Sequence, residues 1–155
     1  MGLWQWGLNR LPSPKEGSTL DLDSTRLLHK DGPQEGVQGG YTKQGIKPCL
    51  HPLLAVRAEV RLAAQLWWRP GNARCGSNST AFFLDLWENL PRHIRRRGVR
   101  ADSGFCRPEL LALWEQWPLP CVVVAQRSQP MQKIIKGDLK WTATEVPGTE
   151  VAELE

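Results

Sequence analysis

No stretch of the chain approaches the roughly 20 consecutive apolar residues of a membrane-spanning helix. The opening Met1-Gly2-Leu3-Trp4-Gln5-Trp6 also lacks the basic region and long apolar run of a secretion signal. The expectation is a cytoplasmic protein with no membrane partner. Cysteine is sparse: Cys49, Cys75, Cys106 and Cys121 form no CxxC, and no paired-histidine motif accompanies them. That spacing argues against a zinc site and leaves buried, reduced thiols as the expectation. No internal repeat is present, so the chain is not a stacked array.

What is present is enough for one domain with a real core. The chain has 155 residues, 41% of them hydrophobic, with a formal net charge of +4. A modest positive balance suits an anionic partner such as nucleic acid, although many other proteins share it. Among the eight tryptophans, Trp67, Trp87 and Trp114 fall where a core needs large apolar groups. Core packing is the expectation for them, ahead of stacking on bases.

Along the chain, Pro12, Pro14 and Gly17 mark a flanking segment that ends in a loop. Residues 18–25 then suit a strand. Residues 29–48 hold Gly32, Gly36, Gly39, Gly40 and Gly45 and read as a long loop. The apolar runs Leu50 to Ala58 and Arg61 to Trp68 fit either a hairpin or one helix, and Arg69-Pro70-Gly71-Asn72 closes them as a turn. Ser79 is the candidate cap of a helix whose apolar positions are Phe82, Phe83, Leu86, Trp87 and Leu90. The basic run from Arg92 to Gly98 fits a solvated helix end or a contact to DNA phosphates. Val99 to Asp102 is strand-like, Pro108 to Trp117 reads as a helix, and Cys121 to Ala125 has the β-branched run of a buried parallel strand. Beyond Gln126 the composition turns polar, with two short strands expected around Pro147-Gly148. Strands alternating with helices in the second half imply an α/β sheet.

Asp23 and Asp102 both stand at strand ends, followed by small polar residues: Asp23-Ser24-Thr25 and Asp102-Ser103-Gly104. Ligands of open α/β sheets gather at the carboxyl ends of strands, and two carboxylates suit Mg²⁺. An aspartate in such a place also serves as a turn former or helix cap. If the first and fourth strands are neighbours, the two carboxylates converge.

A set of ordered blocks goes further. Asp21-Leu22-Asp23-Ser24-Thr25, Gln34-Glu35-Gly36, Gly40-Tyr41, His51-Pro52-Leu53-Leu54-Ala55, Arg69-Pro70-Gly71-Asn72 and Arg100-Ala101-Asp102-Ser103-Gly104-Phe105 follow one another along the chain. Together they resemble the DDE transposases of bacterial insertion sequences. The resemblance implies an incomplete RNase H-like mixed sheet with flanking helices, followed by the start of a β-rich insertion. On that reading residues 1–17 are an N-terminal flank, 18–126 a partial catalytic core and 127–155 the start of the insertion.

The resemblance also implies a site and its ligands. Asp23 and Asp102 match the first two catalytic, metal-binding carboxylates. Asp21 is the other candidate in the first block, ranked lower because the family residue directly precedes the small hydroxyl pair. The implied cofactor is two Mg²⁺ ions, with Mn²⁺ able to substitute, acting in phosphoryl transfer. The implied partners are double-stranded DNA at element ends and a second copy or a full-length transposase. Arg69, Asn72, Arg100, Lys43 and Lys47 are candidate DNA contacts, set against turn formation for Asn72 and solvated charge for the others. His51 reads as a structural histidine.

Three departures bear on this reading. The third carboxylate of the family is a Glu on a helix after the insertion, and Glu145, Glu150, Glu153 and Glu155 lie in strand or tail patterns that do not match it. Lys30-Asp31 stands where relatives carry an aromatic. Met1 lies close to the catalytic core, so the family's N-terminal DNA-binding and assembly region is expected to be missing; the chain reads as a transposase fragment, and without the family's last helix an uncovered sheet face and poor solubility are expected. The alternatives are a catalytically inactive DNA- or protein-binding remnant and an RNase H-like nuclease unrelated to transposition; the second predicts a third acid within the chain.

Overall fold

Leu20 and Leu22 lie two residues apart, so an extended backbone turns both to one side and Asp21 and Asp23 to the other. The structure, a computed structural model describing residues 3–153, has this arrangement. In chain order the elements are α1 (Leu3–Arg10), β1 (Ser18–Ser24), β2 (Leu27–Leu28), β3 (Gln38–Thr42), β4 (Gly45–Leu50), β5 (Leu53–Arg57) and β6 (Leu62–Trp67). Then come α2 (Ser79–Asn89), β7 (Arg96–Ala101), a 3-10 turn (Ser103–Phe105), α3 (Pro108–Gln116), β8 (Cys121–Val123), α4 (Gln129–Ile135), β9 (Thr142–Ala143) and β10 (Glu150–Val151). Contacts group the chain into one unit ending at Val124 and a second beginning at Ala125. Among the described residues no helix is long and apolar enough to cross a membrane.

The first unit is built on a mixed five-stranded sheet in the order β6-β5-β1-β7-β8. Strand β1 runs antiparallel to β5 and parallel to β7, and β7 runs parallel to β8. Helices α2 and α3 flank it. Leu20, Leu22, Leu53, Ala55, Val99 and Ala101 from the strands join Phe82, Phe83 and Leu86 of α2 and Leu110 and Trp114 of α3 in one buried cluster. Each fully buried large side chain contributes about 1.5–3 kcal/mol. Phe83 meets Trp114 edge-on at 5.4 Å between ring centroids, and Trp87 lies 4.9 Å from Trp117, which fixes α2 on α3. Trp67 and Trp87 pack against this cluster half-buried, so all three expected tryptophans serve the core.

The apolar runs at 50–68 form a hairpin, not a helix. β5 pairs antiparallel with β6, and the turn between them is completed by Arg61 in the left-handed region, φ 53°. The Glu59 carboxylate of that turn accepts the Thr19 backbone N–H at 2.8 Å, tying the hairpin to β1.

Several expectations are corrected. Residues 29–48 are not one long loop, because β3 and β4 form a hairpin with β2 added on the outer side of β4. Their glycines allow close packing: a Cβ on Gly40 would collide with the Gly71 carbonyl oxygen, and one on Gly71 with the Cys49 and Gln38 oxygens. Asn78, at φ 60°, occupies the N-cap of α2, while the Ser79 hydroxyl inside the first turn bonds the Gly76 oxygen at 3.2 Å.

The basic run is not a helix end either. α2 stops at Asn89, and Arg96 already belongs to β7. Its guanidinium donates back to the Trp87 and Leu90 oxygens at 3.1 and 3.0 Å and lies 4.5 Å over the Trp87 ring. It thus serves the helix terminus from the neighbouring strand. β8 is parallel, as expected, but lies at the sheet edge with Val122 71% exposed.

In the second unit α4 stands where only polar chain was expected. Ser128 caps it by accepting the Met131 N–H at 3.3 Å, and Pro130 occupies its first turn. The strands around Pro147-Gly148 are the two-residue pair β9 and β10.

Candidate active site

Strand β1 delivers its carboxylates by alternation. Asp21 and Asp23 project from the face opposite Leu20 and Leu22. On β7, Val99 and Ala101 are buried and Arg100 is exposed, so Arg100 and the following Asp102 fall on that same second face. The parallel register pairs Asp21 with Arg100 and Leu22 with Ala101. One residue further, Asp23 and Asp102 stand side by side where both strands end. Parallel neighbours lie about 4.8 Å apart, so the two carboxylates share one small region. They line an open groove of about 370 Å³ together with Asp21, Arg100, Val122 and Val124.

Each carboxylate is held by backbone. Asp23 Oδ1 accepts from the Ser24 N–H at 2.7 Å. Asp102 caps the 3-10 turn, its Oδ1 accepting from the Gly104 N–H at 2.9 Å. A side chain two residues on would crowd it: a Cβ on Gly104 would stand 3.0 Å from Asp102 Oδ1 and 3.3 Å from Cys75 Cβ. The Asp102 pKa is raised above its ordinary 3.8, first by burial. The Gly104 hydrogen bond opposes this, and the charge of Asp23 adds to it. The two acidic groups thus stand together at one end of the groove, the charge of one raising the cost of charge on the other.

Arg100 and Asp21 form a two-pronged ion pair in the same groove, with Nε to Oδ1 at 2.6 Å and Nη2 to Oδ2 at 2.7 Å. The pairing raises the Arg100 pKa, the Asp21 hydrogen bond being the largest cause. Asp21 is therefore engaged and Asp23 is left facing Asp102. The signal for this lay in the period-two spacing of Asp21 and Asp23, but the partner on β7 lay beyond local pattern.

The other candidate residues scatter. Arg69 is 6% exposed; it donates to the His51 oxygen at 2.9 Å, the Arg74 oxygen at 3.1 Å and the Ser77 oxygen at 2.7 Å. Its guanidinium braces the segment between β6 and α2, and it does not line the groove of the aspartates. Asn72 is exposed in the adjoining turn. Lys43 lies at the tip of the β3–β4 hairpin and Lys47 on β4, both exposed, and neither lines the groove of the aspartates.

His51 is 1% exposed. Its Nδ1 donates to the Ala73 oxygen at 2.9 Å and its Nε2 faces Cys75 Sγ at 4.0 Å. Burial is the main reason its pKa is lowered. This is the structural histidine expected. All four cysteines are free, but only Cys49 is buried. Among the described residues no group of three or more His, Cys, Asp and Glu side chains is arranged to hold a metal ion.

No family model matches the sequence, and no curated protein matches it. Among solved structures, the cryo-EM structure of a piggyBac transposase synaptic complex with hairpin DNA is similar with a TM-score of 0.50 at 14% identity, over 79% of this chain and 26% of that one. A Drosophila P element transposase strand transfer complex aligns at TM-score 0.37 and 9% identity, over 98% of this chain and 36% of that one. The first similarity shows a transposase-like fold: a mixed sheet with flanking helices. The chain spans about a quarter of the piggyBac chain's length.

Proposed function

We propose that this chain is part of the catalytic core of a DDE-type DNA transposase of the bacterial insertion-sequence kind, with an RNase H-like sheet in which Asp23 and Asp102 are two of three metal-binding carboxylates. The observation that carries this reading is the adjacency of those carboxylates at the ends of parallel neighbours β1 and β7, on the sheet face away from the helical core. Taken in chain order, the strands of the main sheet put the first aspartate on the first strand and the second just after the fourth. That is the placement the family resemblance implies. The fold likeness to the piggyBac transposase supports it, and so does that structure's DNA for a DNA partner here.

The donor set suits the cofactor. Two oxygen donors at the mouth of an open groove fit a hard cation that retains water and phosphate ligands, and the charge of Asp23 that raises the Asp102 pKa is what a cation would neutralise. Mg²⁺, or Mn²⁺ in its place, would supply charge neutralisation and an activated oxygen nucleophile for attack on a phosphodiester bond. The chain's own residues do the positioning. The Gly104 and Ser24 amides orient the two carboxylates, and Asp21 holds Arg100 beside them.

Catalysis in such a family requires a third carboxylate, and among the described residues no group of three or more His, Cys, Asp and Glu side chains is arranged to hold a metal ion. That requirement favours a second reading for the chain by itself, a catalytically inactive remnant that binds DNA or assembles with a full-length transposase. The two readings separate in one experiment: Mg²⁺- and Mn²⁺-dependent cleavage and strand transfer on duplexes carrying the sequences that flank the gene. If the active reading is right, Asp23→Asn and Asp102→Asn each reduce the rate at least about 100-fold, the several kcal/mol of a lost metal ligand. DNA binding without cleavage by the wild-type chain supports the remnant, and cleavage untouched by both substitutions rejects the site.

A further inference from the structure

Beside the aspartate groove is a second one, about 330 Å³, between the end of β1 and the tip of the β3–β4 hairpin. Ser24, Thr25, Arg26, Thr42, Lys43 and Gln44 line it, with Leu28 as an apolar patch. Two cations, three hydroxyls and an amide face the space, and no carboxylate does. Arg26 is the unusual member. It is half-buried, its Nε is shielded from water without a hydrogen-bond partner, and its Nη2 has only Cys75 Sγ at 4.0 Å, a weak acceptor. Among the described residues it has no ion pair. A buried cationic donor left unsatisfied is costly unless an acceptor arrives. The groove is continuous in sequence with the proposed site, since Ser24 and Thr25 directly follow Asp23.

We propose that this groove is a phosphate subsite that seats the DNA backbone next to the phosphodiester held at Asp23 and Asp102, with Arg26 and Lys43 as its cationic contacts; the assignment rests on the nucleic-acid reading above. Arg26 lines the groove and supplies a planar, multi-donor guanidinium, which matches the oxygens of a phosphodiester. Lys43, on the exposed hairpin tip, supplies a point charge from the opposite wall. Such contacts set the register of the strand without reading its sequence. The hairpin thereby acquires a task that its packing does not require. Its base is anchored against Gly71, while its tip carries Lys43 and Gln44 to the groove.

The test is fluorescence anisotropy of a labelled DNA duplex, with Ca²⁺ as the only divalent ion, from 50 to 200 mM salt. Arg26→Gln and Lys43→Gln are each expected to lower the slope of log affinity against log salt by about 0.9, and the double variant by about 1.8. Arg26→Lys and the exposed control Lys15→Gln leave the slope close to wild type. Lys43 is at an exposed tip, so its variant tests the groove even if Arg26→Gln compromises folding. In parallel, inorganic phosphate is titrated while the Arg26 Nε–H resonance is followed, and a saturable shift is expected.

Wild-type DNA binding with unchanged slopes in both variants overturns the subsite and leaves the aspartate reading standing. A saturable phosphate shift at Arg26 in a chain that binds no DNA overturns the DNA reading, and with it the assignment of a phosphodiester. Absence of both signals overturns both.

Discussion

Asp102 combines two demands that conflict. As the cap of the 3-10 turn it must accept the Gly104 N–H, and as a partner of Asp23 it must keep a carboxylate near another negative charge. Its raised pKa has a definite consequence for stability. A folded-state pKa above the unfolded value means that the folded protein binds the proton more tightly, so stability is lost as pH rises through the interval above 3.8. Asp102→Asn keeps an acceptor for Gly104 and removes the charge. It is therefore expected to raise Tm at pH 7, with the gain vanishing at pH 3, where the Asp102 carboxyl is protonated. Thermal melts at the two pH values check this, and an unchanged or lower Tm at pH 7 counts against the repulsion. Added Mg²⁺ is expected to raise the wild-type Tm and to do so less in the variant, because a ligand that binds only the folded state stabilises it by mass action. Arg69 and Arg100 make the complementary contrast. In sequence both are arginines next to a motif, but burial turns one into a brace for backbone carbonyls and exposure leaves the other paired with Asp21.

Among the elements, the segment between β6 and α2 depends most on a single side chain. Arg69 gathers the His51, Arg74 and Ser77 oxygens, and Pro70 bridges to Leu50. Arg69→Ala leaves those acceptors without their donor in a partly buried setting. The expected cost is about 2–4 kcal/mol in urea unfolding, and a loss under 0.5 kcal/mol would mean that the carbonyls find water instead. The β3–β4 hairpin shows why a glycine-rich stretch escaped recognition as strand. Glycine weakens a strand pattern because it has no side chain to alternate, yet Gly40 and Gly71 are what lets the hairpin and the turn approach backbone to backbone. Helix α4 was hidden for a different reason. It buries nothing among the described residues, and its apolar positions Met131, Ile134 and Ile135 span little more than one turn, so the Ser128 cap and Pro130 are its main local marks.

For the molecule as a whole, the main sheet has one face sealed by α2 and α3 and one face where apolar and charged groups mix. Val122 and Val124 are 71% and 62% exposed there, Leu66 is 39% exposed, and Asp21, Asp23 and Arg100 lie between them. A face of this kind promotes association. The wild-type chain is expected to self-associate with rising concentration in sedimentation velocity, and Val122→Thr with Val124→Thr to shift the distribution toward monomer while preserving the fold. A wild-type chain that stays monomeric throughout removes this expectation. The same openness leaves the aspartate groove accessible from solvent.

How much of this was legible in the sequence follows from the range of each interaction. Residues 18–25, 79–90, 99–102 and 108–117 were readable as strand or helix because apolar spacing is a local property, set by how a strand or helix turns its side chains toward a core. The candidate carboxylates were readable too, as aspartates at strand ends before small residues. Their convergence was not, since it depends on β1 lying next to β7, whose pairing joins residues far apart in the chain and is decided by the packing of the whole sheet. The same holds for the fates of Arg69, Arg26 and Arg100. Residue type supplies the charge, and only the tertiary structure decides whether that charge meets a carbonyl, a carboxylate or an empty groove.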